Sequence, residues 1–332
     1  MATRSVSSPG SPSSPNQSRY GVPERSVEVD PGVAPRPLRW SASSVSTFEQ
    51  CPLKLWWGKV AGWQEGPSVA TAAGSAVHGA LEDLFRLEPA ERTEQFAGAA
   101  LARALEGARD ELAAAEVPFE QVRSKAESAL EVYWQVEDPT AIDVIADGVE
   151  REVGPQLGDV PFVGFVDRIA HSATGVRVTD YKTGAAKPRY FGPYFRQQYL
   201  YAAALIDSGV DVTEIELLFL ADGRRVTRPV YDAALDRAVG TLQSVAEAGA
   251  AMAQQGVWTA RQSPLCGWCS FESVCPLRKS RVPTPGSAES DQRLSALPGM
   301  SQRAPVPPVP LVPLELPDVQ GSVAPSAAGA PA

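Results

Sequence analysis

Apolar positions recur at helical spacing early in the chain, alternate with a period of two in its middle, and return to helical spacing toward its end. Gly74 to Leu87 places Val77, Leu81, Leu84 and Phe85 on one stripe, which predicts a helix. Two Ala-rich amphipathic stretches follow, Ala97 to Ala115 and Phe119 to Trp134. Upstream, Ser43, Ser44, Ser46 and Thr47 surround Val45 and Phe48, which predicts a capped helix ending near Cys51, and Pro52 opens another turn through Leu55, Trp56 and Trp57. Between Ile142 and Val230 the residues become β-branched and alternating. Strands are predicted at Asp143 to Val153, Val160 to His171, Val176 to Lys182, Glu214 to Ala221 and Arg225 to Tyr231, with a helix from about Tyr194 to Asp207 among them. Asp232 to Gln255 is helical again. The sum is an α/β fold, a sheet of about five strands flanked by helices, without internal repeats.

Composition changes that picture at the two ends. The 332 residues are 44% hydrophobic and 21% charged, as in ordinary globular proteins. Residues 1–38 and 283–332 hold 18 of the 30 prolines, and such segments bury too little apolar surface to offset chain entropy. They are expected to be disordered or polyproline-like tails around one folded domain at 39–282, with the run Ala304 to Pro313 a solvated tail rather than a partner ligand. No apolar run reaches membrane-spanning length and Met1 to Tyr20 has no apolar h-region, so no membrane association is expected and a cytoplasmic protein is. The tails carry +1 and -2, so about -8 of the net charge of -9 belongs to the core. It is uneven there. Glu88 to Glu131 has ten acids and five bases, whereas Arg177 to Tyr201 has five bases and one acid, and a polyanion can bind such a local basic stretch on an acidic protein.

The stretch Val176 to Gly184 (VRVTDYKTG) carries the chemistry. In a strand Val176, Val178, Asp180 and Lys182 share one face and Arg177, Thr179 and Tyr181 the other. An apolar face that ends in an acid and a base is costly unless those groups meet a metal, each other or a substrate. Asp167 ends the apolar run of the preceding strand. A hairpin through Ser172 to Gly175 brings Asp167 and Asp180 side by side, where two carboxylates repel and invite a divalent cation. Mg²⁺ or Mn²⁺ at such a centre suits phosphodiester hydrolysis, with Lys182 directed at the same place to hold or help deprotonate the attacking water. The chain has no Rossmann glycine fingerprint and no G-x-S-x-G, so hydride and acyl chemistry find no comparable fit. By itself Asp-x-Lys is also what an ordinary surface ion pair looks like.

The order Gly164-x-x-Asp167, Asp180-Tyr-Lys182-Thr-Gly184 and Gln197-x-x-x-Tyr201 resembles the nuclease module of the RecB family in the PD-(D/E)XK superfamily, close to AddB-type and CRISPR-associated exonucleases. The resemblance implies a restriction-endonuclease-like core with a central mixed sheet. It implies that His78, in Gly74-Ser-Ala-Val-His78, is a further metal ligand, and that the carbonyl of Tyr181 coordinates the same ion. Taken alone, His78 reads as a core histidine. Gln197 and Tyr201, four apart on a helix, are expected to meet nucleic acid, the amide by hydrogen bonding and the phenol by stacking on a base or bonding a phosphate. Arg189, Tyr190 and Arg196 are expected near the same groove, and Glu150 resembles an acid that precedes the metal strand.

Three cysteines, Cys266, Cys269 and Cys275, are spaced C-x₂-C-x₅-C, and the fourth, Cys51, lies far upstream. Four thiolates suit a [4Fe–4S] cluster or a zinc site. The one-plus-three split resembles the iron–sulfur staple of AddB-type nucleases, which favours the cluster over zinc and gives it a structural role, closing a long loop.

The expected function is thus a divalent-metal-dependent DNA exonuclease acting on single strands or ends in repair or recombination. No helicase P-loop is present, so unwinding falls to a separate helicase or repair partner. Two rival readings are a non-catalytic nucleic-acid-binding or scaffold protein with a structural metal–thiolate cluster, and a redox protein that uses the cluster.

Overall fold

A computed structural model describes residues 16–17, 22–33 and 38–303. The central sheet has five strands: β2 (Val144–Val153), β3 (Gly164–Ser172), β4 (Gly175–Lys182), β5 (Val212–Phe219) and β6 (Arg224–Pro229). Their spatial order is β6-β5-β4-β3-β2. All neighbours are antiparallel except β4 and β5, which run parallel because helix α5 (Phe191–Asp207) carries the chain back between them. The sheet is helix-flanked, as the alternation predicts, and mixed, as the resemblance implies.

The alternation also assigns the two faces. Val176 and Val178 of β4 and Ile215, Leu217 and Phe219 of β5 pack with helices α1 (Ala42–Gln50), α5 and α6 (Asp232–Gln255). Tyr181 and Leu218 point the other way, into helices α2 (Val69–Phe85), α3 (Glu94–Gly107) and α4 (Phe119–Val136). Sequence chemistry fixes where helices begin. Ser41 caps α1 and Ser68 caps α2, each in a reciprocal box with the residue three further on, Ser44 and Thr71. The Ser68 cap starts α2 five residues before its apolar stripe becomes visible. The expected strand Val160 to His171 is divided: Val160–Pro161 pairs with Gln156–Leu157, and the sheet strand starts only at Gly164, since Pro161 has no N–H to extend a ladder.

The expected tail boundaries fall inside folded structure. Strand β1 (Pro23–Glu28) pairs antiparallel with β7 (Val257–Arg261). Val27 packs on the core, Arg25 Nη1 donates to the Pro276 carbonyl at 3.1 Å, and Glu24 is paired with Arg261. At the other end helix α7 (Ala288–Ser295) buries Leu294 completely and accepts a bond from Trp63 Nε1 on Asp291 Oδ1 at 3.2 Å. Ser301–Gln302 then pairs with Trp63–Gln64. A few well-placed apolar and charged side chains outweigh the proline content in both segments. The run Ala304 to Pro313 and the first fifteen residues lie outside the described residues. Among the described residues no helix is long and apolar enough to cross a membrane.

Candidate active site

The β3–β4 hairpin turns through Ser172 and Gly175, and its ladder runs as far as Arg168 opposite Thr179. One step further along each strand lie Asp167 and Asp180, close enough for the charge of one to bear on the other. Here the main-chain ladder stops and a side chain takes over: the Tyr181 N–H donates to Asp167 Oδ2 at 2.8 Å. From α2, His78 reaches both strands, with Nδ1 3.3 Å from Asp167 Oδ1 and Nε2 2.8 Å from the Tyr181 carbonyl.

Asp180 is 4% exposed. Its Oδ1 accepts from Gln197 Nε2 at 3.1 Å, and its Oδ2 lies 2.7 Å from Lys182 Nζ without the alignment of a directed hydrogen bond. Gln197 Nε2 also donates to the Tyr201 hydroxyl at 3.3 Å. Tyr201 is buried, its ring laid on Gly164, where a Cβ would overlap the ring carbons. Its hydroxyl, not its ring face, is therefore the part that reaches the site, which leaves room for the phosphate bond expected of it but not for the base stacking. Arg196 is drawn away as well, paired with Glu49 of α1. Arg189 lies against the Tyr190 ring, 4.9 Å from its centroid, on the surface before α5.

The charges reinforce each other. Burial works to lower the His78 pKa, but the hydrogen bond and charge of Asp167, with the charge of Asp180, override it and raise the value to about 9. With an oxygen facing each ring nitrogen, the imidazole holds two protons. Burial pushes the Asp180 carboxyl up, opposed by Lys182 and assisted by Asp167. Burial alone would discharge Lys182, but Asp180 keeps it an ammonium and raises its pKa. Burial likewise raises Glu150, with the charges of Asp167 and Glu82 adding to it. Glu150 sits in the left-handed region with φ 47°, on the strand next to Asp167.

A model of the PD-(D/E)XK nuclease superfamily matches residues 39–276. The chain belongs to this superfamily. Its members are nucleases that generally use Mg²⁺ or Mn²⁺, so the domain implies a nucleic-acid substrate. Among curated proteins none matches the chain.

The donor set of the nuclease domain fits such a cation in kind: two carboxylates, a peptide carbonyl and an imidazole. The buried Oδ2 of Asp180 is met by Lys182 Nζ alone, at 2.7 Å, and His78 Nε2 faces the Tyr181 oxygen at 2.8 Å. Among the described residues no three His, Cys, Asp or Glu side chains enclose an ion as they are placed.

The cysteines stand at the far ends of the nuclease domain in sequence. Burial raises the thiols of Cys51, Cys269 (to about 11) and Cys275, and the charge of Cys51 reaches both Cys269 and Cys275. Main-chain N–H groups point at the sulfurs: Arg261, Lys54 and Leu53 at Cys51, Phe271 at Cys269, Leu277 and Arg278 at Cys275, and Ser263 at Cys266 at 3.3 Å. Amides aimed at sulfur stabilise thiolates. All four cysteines are free of disulfides.

Two features escape a reading of the sequence. Tyr194 lies one helical turn before Gln197, with its ring centroid 4.9 Å from Lys182 Nζ; the spacing 194, 197, 201 on one helix face is the signal that finds it. The other is a buried ionic network on the reverse face of β4. Arg168, 2% exposed, bonds Glu137 at 2.6 and 2.9 Å, and Arg225 joins it through Glu137 at 3.0 Å and Glu216 at 3.3 Å. These partners come from four separate elements or their ends, and no local spacing announces them.

Proposed function

We propose that this chain is a divalent-metal-dependent DNA exonuclease acting on single strands or ends, in repair or recombination. The observation that carries the reading is the meeting of His78, Asp167, Asp180, Lys182 and the Tyr181 carbonyl at the end of one hairpin. Asp167, Asp180, His78 and the Tyr181 carbonyl would hold Mg²⁺ or Mn²⁺. When bound, such an ion polarises the phosphoryl oxygen and lowers the pKa of water.

The chain's own groups supply the rest. Lys182, kept charged by Asp180, is a hydrogen-bond donor that holds the attacking water rather than a base that removes its proton. Gln197, placed by the Tyr201 hydroxyl, holds Asp180 by one oxygen and leaves the other toward Lys182. Burial around Asp180 excludes bulk water and strengthens each of these contacts. The groove between α3 and α4 is lined by Glu94, Glu127 and Glu131 beside the ion pairs Glu106–Arg109 and Glu120–Arg123, a net negative flank that disfavours a polyanion relative to the basic start of α5, where Arg189 and Tyr190 are exposed.

Cys51, Cys266, Cys269 and Cys275 are proposed to hold a [4Fe–4S] cluster as a structural clamp. The N–H groups directed at their sulfurs support a metal–thiolate site, and the one-plus-three spacing supports iron–sulfur over zinc.

The test uses anaerobically purified protein, Mg²⁺ or Mn²⁺, and three substrates: end-labelled linear single strands, linear duplex, and closed circular single strands. An exonuclease degrades linear DNA and spares the circle. Cleavage of the circle would replace exonuclease by endonuclease action, and cleavage that survives Asp180→Ala would remove the site. A chain that binds DNA without cutting it would favour the scaffold reading.

A further inference from the structure

Tyr181 offers the site its backbone groups, and its ring packs edge-on against His78 with the centroids 6.0 Å apart. Its N–H is held by Asp167 and its carbonyl by His78, both at 2.8 Å. Its side chain runs through the sheet to the opposite face and ends in the buried network. There Arg168 Nη1 donates to the Tyr181 hydroxyl at 2.7 Å while the same guanidinium bonds Glu137 through two parallel contacts and Thr179 Oγ1 at 3.3 Å. The guanidinium is stacked between the rings of Phe85, 4.7 Å away, and Tyr181, 5.5 Å away.

This anchorage matters because of where the ladder stops. On the β3 side Tyr181 has no main-chain partner, since the last paired residues are Arg168 and Thr179. Besides the site itself, its peptide groups are restrained by the parallel pairing with Leu218 of β5, by the packing of its ring against Tyr133 and His78, and by the phenol. A buried arginine is an expensive way to fill space, and apolar residues of similar volume would serve stability as well or better. Its fork geometry does what they cannot, fixing a carboxylate and a phenol in one plane.

We propose that Arg168, oriented by Glu137, is a positioning residue of the nuclease site: by gripping the Tyr181 hydroxyl it sets the Tyr181 peptide groups against Asp167 and His78. The inference rests on the reading of those residues as a cation site.

Mn²⁺ binding to DNA-free protein, followed by electron paramagnetic resonance, tests it alongside thermal unfolding. Tyr181→Phe keeps the ring and removes only the gripped oxygen. It is expected to weaken Mn²⁺ binding about 10–100-fold, the usual effect of losing a group that orients a ligand. Leu101→Ala opens a cavity in the buried layer under α3, outside the Arg168 network, and is expected to keep wild-type affinity even where its unfolding temperature falls as far. Arg168→Lys keeps the charge but not the fork and is expected to behave as Tyr181→Phe. The inference is overturned if Tyr181→Phe binds Mn²⁺ like wild type, or if affinity follows unfolding temperature through Leu101→Ala as well. Asp180→Asn separates the two levels. If it leaves Mn²⁺ binding intact, the cation site itself falls and takes the inference with it; if it abolishes binding while Tyr181→Phe does not, only the role of Arg168 falls.

Discussion

His78 Nε2 stands 2.8 Å from the carbonyl oxygen of Tyr181, and the proton between them occupies the place where a cation would have to enter. With a folded-state pKa of about 9 against an ordinary 6.5, the protonated ring stabilises the cation-free protein fully below pH 6.5, and that contribution is lost as the pH climbs through 9. EDTA-treated protein is therefore expected to unfold at lower temperature as the pH moves from 6.5 to 9, and Mn²⁺ affinity to rise over the same window as the competing proton leaves. His78→Asn should flatten both dependences. A wild-type affinity that does not change across this range would contradict the arrangement.

Lys182 is kept charged by Asp180, so its replacement removes a donor from the reacting water. Lys182→Ala is expected to lower the single-turnover cleavage rate by about 10²–10³-fold, the usual effect of losing one donor at the reacting centre, while DNA affinity changes little. Equal loss in both measurements would make Lys182 a binding group instead.

The contact between Gly164 and the Tyr201 ring predicts a size-specific defect. Gly164→Ala overpacks that contact and is expected to cost about 1–3 kcal/mol, read by denaturant unfolding. Tyr201→Ala in the same chain opens the space, so the double variant should lose less than the sum of the singles. Simple additivity would show that the ring and the strand do not meet.

For the cysteines, Cys269→Ala is expected to bleach the visible absorption of anaerobically purified protein and to lower its solubility. Wild-type protein without visible absorption but with one zinc per chain would replace the cluster by a Cys₄ zinc site.

Removal of residues 1–28 deletes β1 and its bonds to β7 and Pro276. The truncated chain is expected to lose about 2 kcal/mol, or roughly 4–8 °C in unfolding temperature for a domain of this size. An unchanged transition would mean that the strand adds nothing to the fold.

What the sequence discloses follows the range of the forces involved. Period-two alternation is local, and it is enough to place Val176 and Val178 on one side and Tyr181 on the other, and through the short turn at Ser172 to bring Asp167 near Asp180. Arg168 is invisible as a network residue because its partners Glu137 and Glu216 are distant along the chain and meet it only once α4 and β5 have packed. Strand β1 is hidden for a different reason. Its neighbours are rich in proline and serine, and a strand that gains its stability from one edge pairing carries little apolar signal of its own. The burial of Tyr201 depends on a glycine thirty-seven residues away, which spacing within α5 does not reveal.

The pairing of β1 with β7 also sets a timetable. The ribosome releases Pro23–Glu28 more than two hundred residues before its partner exists, a delay of roughly ten to fifty seconds at about 5–20 residues per second. Throughout that interval a naked edge is offered to any other nascent polypeptide. Three of its six side chains are ionised and its first residue is a proline, the features that discourage promiscuous β-addition, so this short piece of chain can wait safely for the last part of the domain to be synthesised.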